Sequence, residues 1–574
     1  MAQNNLSVSI VVSFLKHYGV RKLVLSPGTR NIPLVVAVET DSFFECYSVV
    51  DERNAAFFAL GLAQQTGEVV GLACTSGTAV SNYLSGMTEA FYSRTPLVAI
   101  TCDRSPYVLG QLETQKIDHI AALRSVVRYS CALPVLKDMD DVWFFERQLN
   151  EAFIALHKGG GGPIHLNLPL VGDTNSMWDE QSRQRVEGNL KYIDYVSRGD
   201  VDAWIEKRLQ LSQFKKIMVV MGQTFPGNQR LEKALSRFCG RYRCPCVADN
   251  LSNFRCNEFV HAEAVAKGLS AASFAKVLPD IVITFGMNFQ ERIKDLFKAH
   301  NGLSKHWSID PDGSVRDCFK SQTAVFHCLP EEFFEYMAPE AGLEALPSGE
   351  YLSAWRELQS AAKLPELPYG NFRVVSEFCK VMPTQALLHV SILNATRLMQ
   401  FFDLPKTVNV FSNASSFGID GCLPTFMGQA AATDLPAFLV IGDISFFYAM
   451  NALSIRHREK NVHVLLINNG GAAEFHIPPT SNAVPTIDQH IGVAHGRTAK
   501  GWAESQGYDY RAVSNEGDLE AAMRWFVRAD NSSPVLLEVF TNMKTDGEFC
   551  LKVYRELGES VDQCLTGLVG GVKC

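Results

Sequence analysis

Two clusters of oxygen-bearing residues, about 25 positions apart, carry the clearest chemical signal in this chain. Gly442-Asp443 and Asn468-Asn469-Gly470-Gly471 offer a carboxylate, side-chain amides and, at the glycines, accessible backbone carbonyls. These are hard oxygen ligands. Mg²⁺ (or Mn²⁺) takes one or two of them together with phosphate oxygens, in place of a closed protein cage. The two clusters therefore read as a clamp for a divalent cation and a diphosphate, although a plain turn after a buried strand has the same composition. A second candidate is Glu52, in Asp51-Glu52-Arg53. It is either an ordinary acidic helix start or a buried carboxylate, and the latter needs a functional reason.

The elements around these residues have the pattern that positions such a site. The apolar run Phe438–Ile441 ends at Gly442-Asp443, a helix-compatible segment covers Phe446–Arg458, and the run Val462–Ile467 ends at Asn468-Asn469. Strand, helix, strand of these lengths is a parallel crossover unit, and ligands collect at the carboxyl ends of its strands. Earlier in the chain, Lys22–Leu25, Cys46–Val50, Val69–Cys74, Leu97–Cys102 and Pro163–Pro169 are strand candidates. The first four are each followed by a polar cluster. Lys216–Met221, Cys246–Asp249, Asp280–Phe285 and His306–Ile309 form a further set, and Val535–Phe540 closes the series. The expected fold is α/β, with three consecutive doubly wound parallel-sheet domains over residues 1–185, 200–340 and 370–574. A polar linker from Gly172 to Asp200 and a connector over about 340–370 separate them.

Composition narrows the function classes. A hydrophobic content of 47% over 574 residues supports several cores, and a net charge of −8 leaves no basic footprint for nucleic acid. No window approaches 18 apolar residues, so no membrane span is expected. The amino-terminal segment reads as an amphipathic helix and not as a secretory signal. Fifteen cysteines, irregularly spaced and often inside apolar runs, suit a reduced, cytoplasmic protein. No strand of the middle region is followed by GxGxxG, so no FAD or dinucleotide bound in the standard way is expected.

Gly442-Asp443 with Asn468-Asn469 resembles the diphosphate motif of thiamine-diphosphate (ThDP) enzymes. The resemblance implies that Asp443, Asn469 and the Gly471 carbonyl hold the metal. Glu52 then corresponds to the glutamate that hydrogen-bonds the aminopyrimidine ring and promotes loss of the thiazolium C2 proton. Ser26-Pro27-Gly28-Thr29-Arg30-Asn31, Thr75-Ser76-Gly77-Thr78, Asp103-Arg104-Ser105-Pro106 and Gly418-Ile419-Asp420-Gly421 narrow the likeness. Together they resemble the 2-succinyl-5-enolpyruvyl-6-hydroxy-3-cyclohexene-1-carboxylate synthases of menaquinone biosynthesis, the MenD family. That resemblance implies decarboxylation of a 2-oxo acid, 2-oxoglutarate, and carboligation to an acceptor, isochorismate, in a homodimer or homotetramer. It assigns the cofactor to Thr78, Gly418, Ile419, Gly442, Ile444, Ser445 and Phe475 as well as to Glu52, Asp443 and Asn469. Arg30, Arg104, Gln115, Arg292 and Arg397 fall to the substrate carboxylates, for which guanidinium offers a bidentate fork. For Arg292 and Arg397 a solvated surface role is equally compatible with the sequence.

Two departures stand out. The family's Ser-Asn-Arg-Gly is Ser412-Asn413-Ala414-Ser415 here, and its apolar residue before Phe is Glu474, ahead of Phe475. A positive charge is lost and a negative one gained in a site for anions. A unit charge at roughly 6 Å and an effective dielectric of about 20 contributes about 3 kcal/mol. Either Glu474 is turned away or paired, or the donor or acceptor differs from the family's. Glu474 would in either case also suit proton transfer. A non-catalytic relative is the remaining class, disfavoured because Glu52 and Asp443 are both retained.

Overall fold

The computed structural model describes residues 2–171, 190, 192, 201–254, 258–300, 303–314, 316–339, 347–477 and 486–569. Three six-stranded sheets are formed among them, and every strand pairing in each is parallel. The first sheet comprises β1 (Lys22–Leu25), β2 (Glu45–Ser48), β3 (Val70–Cys74), β4 (Leu97–Asp103), β5 (Tyr129–Ala132) and β6 (Ile164–Pro169), in the order β2-β1-β3-β4-β6-β5. The second contains β7 (Ile217–Met221), β8 (Cys246–Ala248), β9 (Phe259–His261), β10 (Ile281–Phe285), β11 (Lys305–Ile309) and β12 (Gln322–Phe326), in the order β12-β11-β10-β7-β8-β9. The third is built from β13 (Ala386–Val390), β14 (Val408–Phe411), β15 (Ala437–Gly442), β16 (Val462–Asn468), β17 (Asp509–Val513) and β18 (Val535–Phe540), in the order β14-β13-β15-β16-β18-β17. The fold is α/β with three domains, one per sheet. Central strands such as β3, β4 and β16 are buried along their whole length, which is why they read as continuous apolar runs.

Two expectations need correction. The amino-terminal helix Ala2–His17 is not a surface amphipathic element: residues 7–15 are all buried, including Ser7, Ser9 and Ser13. Ser13 satisfies its hydroxyl on the Ser9 carbonyl at 2.9 Å, so a serine can sit inside. The helix expected over Phe446–Arg458 is instead a short helix, Asp443–Tyr448, followed by a 3-10 turn, Met450–Ser454. Tertiary contacts break it: the Trp502 indole N–H takes the Met450 carbonyl at 2.7 Å, and the Asn451 amide donates to Asp51 Oδ2 at 2.7 Å. The Gly172–Asp200 linker lies outside the described residues except for 190 and 192. Of the 340–370 connector, the helix Glu350–Ala361 is described.

The first and third domains dock through two glycine-bearing helices, Glu52–Thr66 and Cys422–Ala430. A Cβ on Gly61 would lie 2.0 Å from the Thr425 carbonyl, and one on Gly428 would lie 2.1 Å from the Phe58 carbonyl. Only glycine permits backbones this close. The amide of Gln429 crosses the same seam to Gln64 at 3.0 Å. The first and middle domains are joined by Arg94, which lies 2.8 Å from Asp310 and 2.9 Å from Asp312.

Candidate active site

β15 and β16 are neighbours, with Gly442 opposite Ile467, so the residues just past their ends are brought together. Asp443 is buried. Its Oδ1 accepts from the Ile444 amide at 2.7 Å, and Oδ2 accepts from the amides of Gly470 and Gly471 at 2.8 and 2.9 Å. Burial pushes the Asp443 carboxyl up to about 6 despite these donors. His495 Nε2 lies 3.3 Å from Oδ2, and burial lowers the imidazole's pKa. The two asparagines divide their work. Asn468 is structural, its amide donating to Glu538 at 2.7 Å and to the Arg497 carbonyl at 2.8 Å. Asn469 Oδ1, by contrast, is buried with no hydrogen-bond partner. A buried acceptor of this kind calls for a partner such as a water, an ion or a ligand. Gly471 sits at φ +154°, where a Cβ would lie 2.6 Å from the Gly492 carbonyl.

Asp546, on the helix Met543–Val569, is a buried carboxylate that sequence reasoning missed. It accepts from the Asn371 amide at 3.0 Å and the Thr541 hydroxyl at 2.7 Å, and burial raises it to about 6. The Asn469 side chain is also among its donors, which orients that amide. The only sequence signal was an acid in the first turn of a long carboxyl-terminal helix.

On the other side of Asp443, the Ser445 hydroxyl donates to the Ile419 carbonyl at 2.7 Å, tying the Gly418-Ile419 turn to the β15 end. A Cβ on Gly442 would meet nothing within 4 Å.

Glu52 belongs to a second constellation, at the carboxyl edge of the first sheet. It opens the helix Glu52–Thr66, whose Asp51 cap accepts from the Asn54 amide at 3.2 Å. The Glu52 carboxyl is half-buried, and desolvation raises its pKa. It lies close enough to Cys74 and Tyr83 to affect their ionisation. Thr78 is exposed at the start of its helix, and Gln115, at φ +54°, packs its backbone against Gly77. The Arg30 guanidinium donates to the Leu170 carbonyl at 2.9 Å, and burial together with neighbouring Arg104 lowers its pKa. Arg104 pairs with Glu113 at 3.1 Å. Arg30 and Arg104 are thus brought together, as a cationic pair beside the Glu52 edge of the sheet.

The remaining arginines behave differently from one another. Arg292 donates to the Leu269 carbonyl at 2.6 Å, a link within the middle domain. Arg397 pairs with Glu474 at 2.9 Å and lies 3.7 Å from Glu291; both Arg397 and Glu474 side chains are one-quarter exposed. Burial works against the Arg397 charge, yet Glu474 and its other neighbours raise its pKa overall. Of the outcomes open for Glu474, the structure takes pairing. Phe475 follows it, half-buried, and Ala414 packs on the third domain's apolar core.

Among the described residues no group of three or more His, Cys, Asp or Glu could hold a metal. The oxygen set here is one carboxylate, one unpartnered amide and a glycine carbonyl, which is the donor chemistry of a Mg²⁺ ion shared with phosphates. An α/β architecture with such a cradle on one sheet and a half-buried glutamate on another defines a thiamine-diphosphate enzyme. Residues 8–122 accordingly match the thiamine pyrophosphate enzyme, N-terminal TPP binding domain. Across 561 residues, 95% of this chain and 98% of the relative, the sequence is 34% identical to a 2-succinyl-5-enolpyruvyl-6-hydroxy-3-cyclohexene-1-carboxylate synthase of Bacteroides fragilis. Synthases of the same name from Bacteroides thetaiotaomicron and Flavobacterium psychrophilum are 32% and 29% identical, again over 95% of this chain and 98% of each relative. The chain belongs to the 2-succinyl-5-enolpyruvyl-6-hydroxy-3-cyclohexene-1-carboxylate synthase family. It is a ThDP-dependent enzyme acting on a 2-oxo acid.

Proposed function

We propose that this enzyme carries out the reaction for which its relatives are named: decarboxylation of 2-oxoglutarate and addition of the resulting four-carbon unit to isochorismate, with ThDP and Mg²⁺ (or Mn²⁺). The observation that carries the reading is that relatives of that name align with 95% of this chain, with Asp443 and Asn469 held just past adjoining strand ends. A pocket serving a different donor and acceptor is not favoured, because the relatives span nearly the whole chain and Arg397 compensates the charge of Glu474. The chemistry supplied by bound ThDP is that of an electron sink for the pair left when carbon dioxide departs.

The chain's residues have separable tasks. Asp443, Asn469 and the Gly471 carbonyl bind the metal, while Gly442, Ile444 and Ser445 border the diphosphate. Gly418, Ile419, Thr78 and Phe475 orient the rings. Glu52, whose pKa burial raises, would hydrogen-bond the aminopyrimidine ring and hold or release a proton there. Arg30, Arg104, Gln115 and Arg397 receive the substrate carboxylates.

The division into 1–185, 200–340 and 370–574 belongs to the same reading. So does a homodimer or homotetramer in which the first domain of one subunit faces the third of another. No described helix is long and apolar enough to cross a membrane, and the described cysteines, Cys244 and Cys246 among them, are free. Both support cytoplasmic placement.

Carbon dioxide release from a panel of 2-oxo acids, with and without isochorismate, tests the function: 2-oxoglutarate should be the preferred donor and isochorismate should divert product. Release only from other 2-oxo acids would refute it. Asp443→Ala should raise the Mg²⁺ and ThDP concentrations needed for half-maximal activity by at least tenfold, because its role is anchoring. An unchanged requirement in titrations would remove Asp443 from the metal site. The purified protein should show no flavin absorbance, and a yellow preparation would contradict that expectation.

A further inference from the structure

The order of the middle sheet reverses between β7 and β10, and in doubly wound sheets the crevice at that reversal is the usual ligand site. Here the crevice holds part of the chain itself. Gln223, just past β7, is buried and donates its amide to the Ser412 carbonyl at 2.9 Å. Asn288, just past β10, donates to Gln223 Oε1 and to Ser415 Oγ, both at 2.8 Å. The local backbone is shaped for this. Gln223 and Met287 form an isolated antiparallel bridge, and a Cβ on Gly222 would lie 2.1 Å from the Met287 carbonyl. Asn288 adopts φ +49°, which asparagine tolerates better than most residues.

The same turn is held from the first domain. Glu89, fully buried on the helix Leu84–Tyr92, accepts from the amides of Ser415 and Ser416 at 3.2 and 2.7 Å and from the Ser416 hydroxyl at 2.6 Å. Residues 412–416 are thus gripped by two other domains. They contain Ala414 and lead directly into Gly418-Ile419, whose Ile419 carbonyl is tied to Ser445 beside Asp443.

We propose that Gln223 and Asn288 are positioning residues for the reaction. The middle domain uses its ligand crevice to hold the 412–416 turn, and through that turn it sets Ile419, whose carbonyl is tied to Ser445 beside Asp443. The consequence for turnover rests on the proposed function; the hold on the turn does not.

Two near-isosteric variants of the full-length protein, Gln223→Glu and Asn288→Asp, remove the donors while keeping size and, at 288, backbone tolerance. Hydrogen exchange by mass spectrometry should show peptides covering 412–418 exchanging at least tenfold faster, with those covering 470–471 unchanged. Turnover of 2-oxoglutarate should fall at least tenfold, with ThDP and Mg²⁺ affinities within threefold of the unmodified protein. Unchanged exchange at 412–418 in both variants would overturn the proposal. So would turnover and cofactor affinity falling in parallel with Tm, since that is general destabilisation. If the unmodified protein releases no carbon dioxide from 2-oxoglutarate, the proposed function fails, while the exchange result still decides the role of Gln223 and Asn288.

Discussion

Glu52→Gln is expected to bind ThDP and Mg²⁺ with near-normal affinity yet turn over about a thousandfold more slowly, within the usual range for loss of a positioned acid–base group. The two functions separate because the proposed anchoring atoms lie elsewhere: Asp443, Asn469 and Gly471 follow the ends of β15 and β16 in the third domain, and Glu52 opens a helix of the first. Glutamine preserves size and an acceptor oxygen but cannot exchange a proton. Burial already raises the Glu52 pKa above the ordinary carboxylate value, the direction that favours holding a proton. Exchange of the C2 proton of bound ThDP, followed by NMR after acid quench, isolates this step from substrate chemistry. Normal exchange rates in the variant would sink the assignment.

Arg397→Ala should raise KM for the 2-oxo acid by about 30- to 150-fold, corresponding to roughly 2–3 kcal/mol for a charge-assisted interaction. Two losses combine. A cation is removed from a site for carboxylates, and Glu474, paired with it at 2.9 Å, becomes an uncompensated anion with Oε2 already buried and unpartnered. Glu474→Ile should be far milder, with KM within about threefold, because Arg397 then keeps the weaker Glu291 contact at 3.7 Å and is freer to meet substrate. The double variant should recover part of the Arg397→Ala loss. A double-mutant cycle on KM measures the coupling, and additive effects would mean the ion pair does not shape the pocket. With Glu474 already compensated, Ala414→Arg with Glu474→Ile should improve turnover only severalfold.

Much of the architecture was legible from local sequence, for a physical reason. Central strands of parallel sheets are buried on both faces, so β1, β4, β15, β16 and β18 announce themselves as apolar runs ended by glycine or polar clusters. Edge strands lack that signature. β5, β12 and β17 expose part of their length, and none of them stood out from the surrounding sequence; the edge strand β2 did stand out, while β13, central and fully buried, was missed, so burial alone does not decide legibility. The helix after Asp443 was misjudged because periodicity cannot register that Trp502 takes a carbonyl out of its ladder.

The site divides along the same line. Sequence alone placed Asp443, Asn469 and Gly471 just past two strand ends and Glu52 at a strand-to-helix turn, because each lies next to a strand end whose place is set by local pattern; their metal and cofactor roles came from the family resemblance and belong to the proposed function. Only tertiary structure decided which asparagine of the pair is left unpartnered, that Asp546 orients it, that Arg292 serves the middle domain, and that Arg397 neutralises Glu474. It also decided that Gln223, Asn288 and Glu89 converge on residues 412–416. These contacts join residues tens to hundreds of positions apart, and an ion pair or a buried hydrogen bond leaves no periodic trace in the chain. It exists only once two strand ends or two domains have been packed against each other.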